Sequence, residues 1–435
     1  MKDRLMRDAK NLSASGMMGN MKKLLTLFLI FWFMPQAVWA GVEHLSLMYG
    51  VFPTDIALAG AVAASPSTAG AAYHNPAALA NLDGNILAVS YLFLQPRLRG
   101  GPADAQNDFD HANNIITLGL DMPLGQILAN TYPIGMGVTL SVDDGFSTIV
   151  AFENVEHENG YFLRYGKRSF SFAHGLGVQV VDGLNLGVGY LLGYTARVTI
   201  VQDIEILGST ENEQISLLGR LAFFPLAGLQ WQADSFHLGL VYRAEMLARV
   251  DPVSGDTTPK VAGTPVKAYP TEMKFLDGYT PHQFVAGVEL FPHGIWSLDV
   301  QAEALLWSRF NRQLYTSNAT ADDLELKAHD IFLPRIGLRW RPDSTWEVRG
   351  GYAYEPSPFD NLGGNNHLAL DSDRHRFGLG GGYTRRFSWL KAPLTIDAAL
   401  LVMPLESREE RNADNRLVHV EGLVIGGTAG IVFRY

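Results

Sequence analysis

Residues able to do chemistry are plentiful in this 435-residue chain, but few stand at the spacings chemistry requires. His157 lies between Glu156 and Glu158, and His375 follows Asp373 by two residues, pairings of the kind a general base needs. Asp143-Asp144 and Asp322-Asp323 offer oxygens to a hard cation, without the spacing of a defined calcium loop. No Gly-x-Ser-x-Gly elbow, His-Glu-x-x-His zinc site or Walker loop occurs. Gly187-x-Gly189 and Gly378-x-Gly380 fall inside alternating segments with no helix behind them, so they do not read as nucleotide loops. The histidines and paired acids read as loop and rim residues. The chain is expected to be no enzyme, with no cofactor and no metal.

A more ordered chemistry is electrostatic. Between 295 and 308, Leu298, Val300, Ala302, Ala304 and Leu306 alternate with Asp299, Gln301 and Glu303. The next segment sets Pro334, Ile336, Leu338 and Trp340 against Arg335, Gly337, Arg339 and Arg341, and the one after sets Trp346, Val348, Tyr352 and Tyr354 against Glu347, Arg349 and Glu355. Side chains of a strand point alternately to its two faces, so each segment has one apolar and one charged face. Charge is costly against lipid and tolerated in a lumen. Asp299, Glu303, Arg335, Arg339 and Arg349 are therefore assigned to the inside of a barrel wall, acids of one strand beside bases of the next. Stiffening of the wall and contact with a ligand both remain open as their role.

The elements that must carry these faces are strands. Residues 422–435 alternate in the same way, with Leu423, Ile425, Ala429, Ile431, Phe433 and Tyr435 on one face and Val424, Thr428, Val432 and Arg434 on the other. An aromatic at the boundary suits a lipid-facing strand with an interfacial girdle. Further alternating segments fall near 85–97, 114–122, 134–142, 165–180, 184–203, 213–232, 236–250, 282–291, 374–388 and 393–404, which brings the expected total to fourteen. Their connections alternate between short turns, such as Val181-Asp182-Gly183 and Pro292-His293-Gly294, and long ones near 98–112, 143–164, 204–212, 251–281, 309–328, 356–373 and 405–419. Short periplasmic turns and long outer loops mark a transmembrane barrel, so strand fourteen is expected to close on strand one with Tyr435 at the periplasmic rim. Residues 123–133 form the one long connection on the periplasmic side.

Composition agrees with this class. Mean hydropathy is +0.04, and beyond the first forty residues no apolar run reaches the roughly 20 residues of a membrane helix. Only helices and closed barrels satisfy every backbone group in lipid, so a membrane reading must be a barrel. Cysteine is absent, so the fold cannot rest on disulfides. Net charge is −10, and the first forty residues hold six bases against two acids, which leaves the remainder still more acidic and argues against nucleic acid as a partner.

The N-terminal region divides in two. Lys22-Lys23, the apolar run Leu24 to Met34 and Val38-Trp39-Ala40 read as a signal peptide over 1–40 cut after Ala40, with Met21 a plausible true start. Residues 41–82 show no alternation and are rich in Ala, Gly and Ser. Eight strands fill their own interior and fourteen should leave a hole, so this small-residue segment is expected to plug the barrel formed by 83–435.

Tyr73-His74-Asn75-Pro76-Ala77-Ala78-Leu79 resembles the Asn-Pro-Ala motif of the outer-membrane long-chain fatty acid transporters, the FadL/TodX family. So do Thr280-Pro281 through Trp307-Ser308, and Leu333-Pro334-Arg335 through Glu355-Pro356-Ser357-Pro358 to Asp371-Ser372-Asp373-Arg374. Ala64-Ser65-Pro66-Ser67 departs from the family, many of whose members carry acids there. The resemblance implies an all-β, 14-stranded antiparallel barrel in the outer membrane of a Gram-negative bacterium. It implies passive uptake of hydrophobic compounds, long-chain fatty acids or related lipophiles, past a hatch at Asn75, Pro76 and Ala77. In the family the exit is lateral, beside an inward kink of the third strand, here placed at Pro133, Gly135 and Gly137. Val261, Val266, Tyr269, Met273, Phe275 and Leu276 of the fourth outer loop would offer an apolar landing site. The partners expected are a fatty acid or hydrocarbon, outer-membrane lipid including lipopolysaccharide, and the barrel-assembly machinery during insertion. A plugged barrel with a structural or assembly role and no transport is the competing reading.

Overall fold

Fourteen strands form a closed ring. The structure, a computed structural model, describes residues 50–435 apart from 67–68, 103–106, 110–111, 126–131, 144–169, 206–209, 262–263, 266–268, 311–326, 362–370, 388–391, 412–414 and 416. The segment expected to be a signal peptide and the first residues expected in the plug lie outside that set. The wall strands are β1 (Ile86–Pro102), β2 (Asn113–Pro123), β3 (Ile134–Asp143), β4 (Phe170–Val181), β5 (Leu184–Glu205), β6 (Thr210–Gln232) and β7 (Phe236–Arg243). They continue as β8 (Gln283–Leu290), β9 (Trp296–Leu305), β10 (Ile331–Trp340), β11 (Trp346–Glu355), β12 (Arg374–Arg386), β13 (Pro393–Arg411) and β14 (Leu417–Arg434).

Each wall strand pairs antiparallel with the next, and β14 returns to β1 along a register from Ile86–Arg434 to Pro102–Val418. Closure leaves no edge strand, the condition for crossing lipid. The alternation in sequence becomes a two-sided wall. In β10, Phe332, Pro334, Ile336, Leu338 and Trp340 are exposed while Ile331, Leu333, Arg335, Gly337 and Arg339 are buried. Aromatic pairs collect on the outer surface near the short turns, including Trp296 stacked on Trp340 at 5.6 Å, Trp346 against Tyr383, and Phe433 against Tyr435. Such a band suits the membrane interface.

The outer connections differ from the loops expected. Several are continuations of the wall: β5 and β6 run to Glu205 and from Thr210, β13 reaches Arg411, and a short strand Asn107–Phe109 pairs on β1. Beyond the bilayer nothing requires an apolar face, so pairing persists where alternation has stopped. Residues 246–261 and 269–280 form an antiparallel hairpin, whose first strand also runs parallel to β5. This hairpin stands outside the ring, since β7 pairs directly with β8 from Arg243–Gln283 to Phe236–Leu290.

The third strand is paired on both sides. Both ladders of β3 are continuous, with β2 from Ile115–Asp143 to Pro123–Gly135 and with β4 from Ile134–Val178 to Val142–Phe170. Neither ladder is interrupted at Gly135 or Gly137, where the inward kink is expected together with Pro133. Pro133 stands just before it, where a missing N–H removes no ladder bond, and its carbonyl accepts from Gln179 N at 3.0 Å.

Candidate functional site

Residues 50–66 and 69–82 lie inside the ring, against its inward-facing side chains. Helix α1 (Pro53–Ala57) opens with Phe52 N–H donating to Asp55 Oδ2 at 3.0 Å. The chain then turns through Ala59 and Gly60, both at positive φ. Helix α2 (Ala71–His74) follows, and a 3-10 helix spans Pro76–Asn81. His74 Nε2 sits 3.0 Å from Asp55 Oδ2, which ties α1 to α2 within the segment. Ala57, Leu58, Ala72, Asn75, Ala77 and Leu79 are all fully buried.

Asn75 is the knot of this segment. Its Oδ1 accepts from Ala77 N at 3.1 Å, which starts the 3-10 helix, and Pro76 occupies the first helical position. Its Nδ2 donates to Ala63 O at 2.8 Å and to Leu229 O of β6 at 3.1 Å. Three bonds from one buried amide fix the segment to itself and to the wall. Each such bond contributes about 1 kcal/mol, and a group left unsatisfied costs about 1–3 kcal/mol.

Wall side chains reach in to hold the backbone. Gln301 Oε1 accepts from Val62 N and Ala63 N at 3.0 and 2.9 Å, and Gln230 donates to Ala64 O at 2.8 Å. Arg335 donates to Ala59 O at 2.8 Å, and Arg339 to Ser65 O and Oγ at 3.0 and 2.8 Å. Arg243 donates to Tyr73 O and His74 O and lies 4.8 Å over the Tyr73 ring. Ala59 O follows α1, and Tyr73 O and His74 O belong to the last turn of α2, where helix ends leave acceptors unpaired.

Behind those contacts runs a lattice of ion pairs on β8 to β13. Arg335 meets Glu303 at 3.0 Å, Arg339 meets Asp299 at 3.1 Å, and Arg349 meets Glu347 and Asp397, both at 2.6 Å. Asp299, Glu303, Arg335, Arg339 and Arg349 are all buried and inward. Arg339 is thus shared between Asp299 and the Ser65 of the inner segment, so the lattice stiffens the wall and grips the segment at once. A buried charge survives only when paired and hydrogen-bonded, which this arrangement supplies.

Beneath the 3-10 helix the wall presents glycine. A Cβ added at Gly135 would overlap Leu79 O, and at Gly187 it would overlap Ala77 N and Pro76 C. At Gly137 it would meet Leu79 Cδ2 at 2.7 Å, and at Gly177 it would meet Pro76 O at 2.5 Å. Gly135 and Gly137 are therefore inward positions that let the 3-10 helix touch bare backbone. The spacing of Gly135-x-Gly137, Gly175-x-Gly177 and Gly187-x-Gly189 on three neighbouring strands is the signal that identifies this bed.

At the outer rim, Tyr279, Trp307, Phe310 and Phe359 form an aromatic cluster with centroid separations of 5.2–6.0 Å. Beside it Asp371, in the connection before β12, accepts from Ser357 Oγ at 2.6 Å. Burial, opposed by the Ser357 bond and by Arg408 and reinforced by Glu355 and Asp373, pushes its carboxyl from 3.8 up to about 7. A carboxyl raised on folding favours the folded loop while it is protonated. That advantage declines as pH climbs from about 4 and is gone above about 7. Amides around Ser357 and Phe359 should lose hydrogen-exchange protection across this window after correction for intrinsic rate, and Asp371→Asn should flatten the dependence.

For the apolar landing site, Tyr269, Met273, Phe275 and Leu276 occupy the second strand of the outer hairpin and Val261 ends the first. Their side chains, like all of Val266, lie outside the described residues. His157, Asp144, Asp322 and Asp323 do too. His375 instead contacts Tyr352 OH and Glu406 Oε1, both at 2.9 Å, at the rim.

Comparison with known proteins gives a consistent result. The family described as outer membrane protein transport protein (OMPP1/FadL/TodX) matches residues 53–421. The chain is 24% identical to alkane uptake protein A of Marinobacter nauticus over 390 residues, covering 85% of this chain and 86% of that protein. Among solved structures it is similar to a Pseudomonas aeruginosa FadL homologue, with a TM-score of 0.58 at 15% identity over 92% of this chain and 99% of the other. It is also similar to the P. putida toluene transporter TodX, with a TM-score of 0.53 at 12% identity over 89% and 99%.

Proposed function

The chain belongs to the OMPP1/FadL/TodX family of outer-membrane transport proteins, and from that premise we propose that it takes up hydrophobic compounds by passive, hatch-gated diffusion, with residues 50–82 as the hatch. The cargo is an aliphatic lipophile, a long-chain fatty acid or an alkane. Alkane uptake protein A, the relative matched over 85% of this chain, supports that class. The hatch assignment rests chiefly on one observation: a segment of short helices occupies the lumen and is held by hydrogen bonds and contact, with no covalent tie except its own chain. Such bonds can be exchanged for others at modest cost, so the plug can move without unfolding the wall.

Lateral release into the membrane suits this cargo. Each CH₂ buried in lipid gains about 0.8 kcal/mol, and an aqueous path into the periplasm forfeits that gain. Both ladders of β3 are intact, so lateral release requires a passage through the wall beside β3 to open as the hatch moves. The exposed apolar face of the wall takes outer-membrane lipid and, in the outer leaflet, lipopolysaccharide, after export on a signal peptide over 1–40 and insertion by the barrel-assembly machinery.

Liposomes carrying the purified protein should accumulate radiolabelled hexadecane or palmitate faster than protein-free liposomes. Mass spectrometry of extracts from the protein should show a bound lipophile. Uptake no faster than the protein-free control for both probes, with a correctly folded barrel, would leave a plugged barrel without transport as the better account.

A further inference from the structure

One polar pair of the wall faces lipid. On β4, Ala173 and Gly175 are buried on the inner side, Gly175 against Leu79 and Pro76, so His174 between them points outward. Its ladder partners are Val138 of β3 and Tyr190 of β5, and the outward positions around the pair include Leu176, Val188 and Phe223, all exposed. His174 stands seven residues from Val181, where β4 meets its short turn. At the usual rise and tilt that is about 17 Å along the barrel axis, within an apolar band about 25 Å tall. The imidazole lies 5.1 Å from the Tyr190 ring, which packs in turn on Phe172 and Phe223. Among the described residues, neither the imidazole nor the Tyr190 hydroxyl makes a hydrogen bond. An ionisable group in hydrocarbon is costly and marks a ligand or a pathway, and here two neighbouring polar groups carry that cost.

We propose that His174 and Tyr190 form a lipid-facing site for the carboxyl group of a long-chain acid, the end that an alkane lacks. A neutral imidazole holds one donor and one acceptor, and a phenol serves as either. A protonated carboxyl needs both, since its O–H donates and its carbonyl accepts, and hydrocarbon offers it no water. The acid O–H donates to a ring nitrogen of His174, its carbonyl accepts from the Tyr190 hydroxyl, and the acyl chain lies along Leu176 and Val188. The position next to β3 sets this site where an acid leaving through the wall enters the membrane. That role rests on the transport reading above, whereas the binding of the carboxyl does not.

Nuclear magnetic resonance of the protein held one copy per nanodisc, with nitrogen-15 in its imidazoles, tests the site. His174→Leu identifies the resonance, and His174→Phe does so if the leucine variant fails to fold. Palmitate should shift the His174 signal, and hexadecane should leave it in place. Tyr190→Phe, which removes only the hydroxyl, should weaken the palmitate titration about fivefold, the factor that one hydrogen bond is worth. No shift with palmitate overturns the site, and so does an equal shift with hexadecane, which would report contact with the chain alone. A shift that needs two copies in one nanodisc, and not palmitate, would mean that a second copy covers this face and overturns it as well. A palmitate shift in protein whose liposomes take up neither probe faster than the protein-free control supports the site and removes the transport reading.

Discussion

Gly187→Val unseats the hatch. The smallest side chain at this position already collides with Ala77 N and Pro76 C, and Ala77 Cα stands 2.7 Å from where a Cβ would be. These are backbone atoms of a helix pinned by Asn75 at its start, so they cannot step aside singly. Overpacking a filled interior costs about 1–3 kcal/mol, comparable with the hydrogen bonds that hold the segment. The expected result is a barrel that still inserts, shows the unheated gel mobility of the wild type, and conducts ions in planar bilayers where the wild type is closed. Gly350→Ala is the control, because nothing lies closer than 3.9 Å to a Cβ there. A quiet bilayer record from folded Gly187→Val would mean that the hatch can shift and still seal.

Arg335→Leu should be the most damaging single change in the charge lattice. Its guanidinium makes bonds of 3.3 and 3.0 Å to Glu303 Oε2 and one of 2.8 Å to Ala59 O, all in a buried setting. Leucine fills the space but, among the described residues, leaves Glu303 paired with Arg243 alone, 3.9 Å away. Breaking a buried pair from one side costs roughly 3–5 kcal/mol. The midpoint of urea unfolding, followed by tryptophan fluorescence, should fall accordingly. Adding Glu303→Gln removes the stranded charge and should recover most of the loss, though not the part owed to the Ala59 carbonyl. If the double variant is no more stable than the single, lost packing rather than uncompensated charge is responsible.

What the sequence disclosed, and what it hid, divides along a physical line. Lipid imposes a strict demand on every second side chain, so Phe332, Ile336 and Leu338 announce β10 as clearly in the sequence as in the wall. Charges excluded from that face had one place to go, and Arg335, Arg339 and Asp299 lie inside. The demand ends at the membrane boundary, and so does the legibility: Ile204, Thr210 and Asn212 fall in the loop expected over 204–212 but pair as strand. Gly135 and Gly137 are visible as glycines, but a missing side chain looks the same whether the backbone needs freedom or a neighbour needs room. The contact of Leu79 with both positions is a fact of packing that no spacing discloses. Gln301 is legible as part of the polar face of β9, but its bonds to Val62 and Ala63, like those of Gln230 and Arg243, leave no signal, since a side chain reaching another segment's backbone leaves no periodicity.

The seam between β1 and β14 has a consequence for biogenesis. The hatch runs directly into β1, and β1 is flanked by β14 on one side and β2 on the other. Where the hatch joins the wall, Asn85 and Tyr435 exchange both backbone bonds at 2.9 Å. The anchor of the segment is thus completed by the last residue of the chain, so the hatch is expected to reach its final seating only when the ring closes and not before.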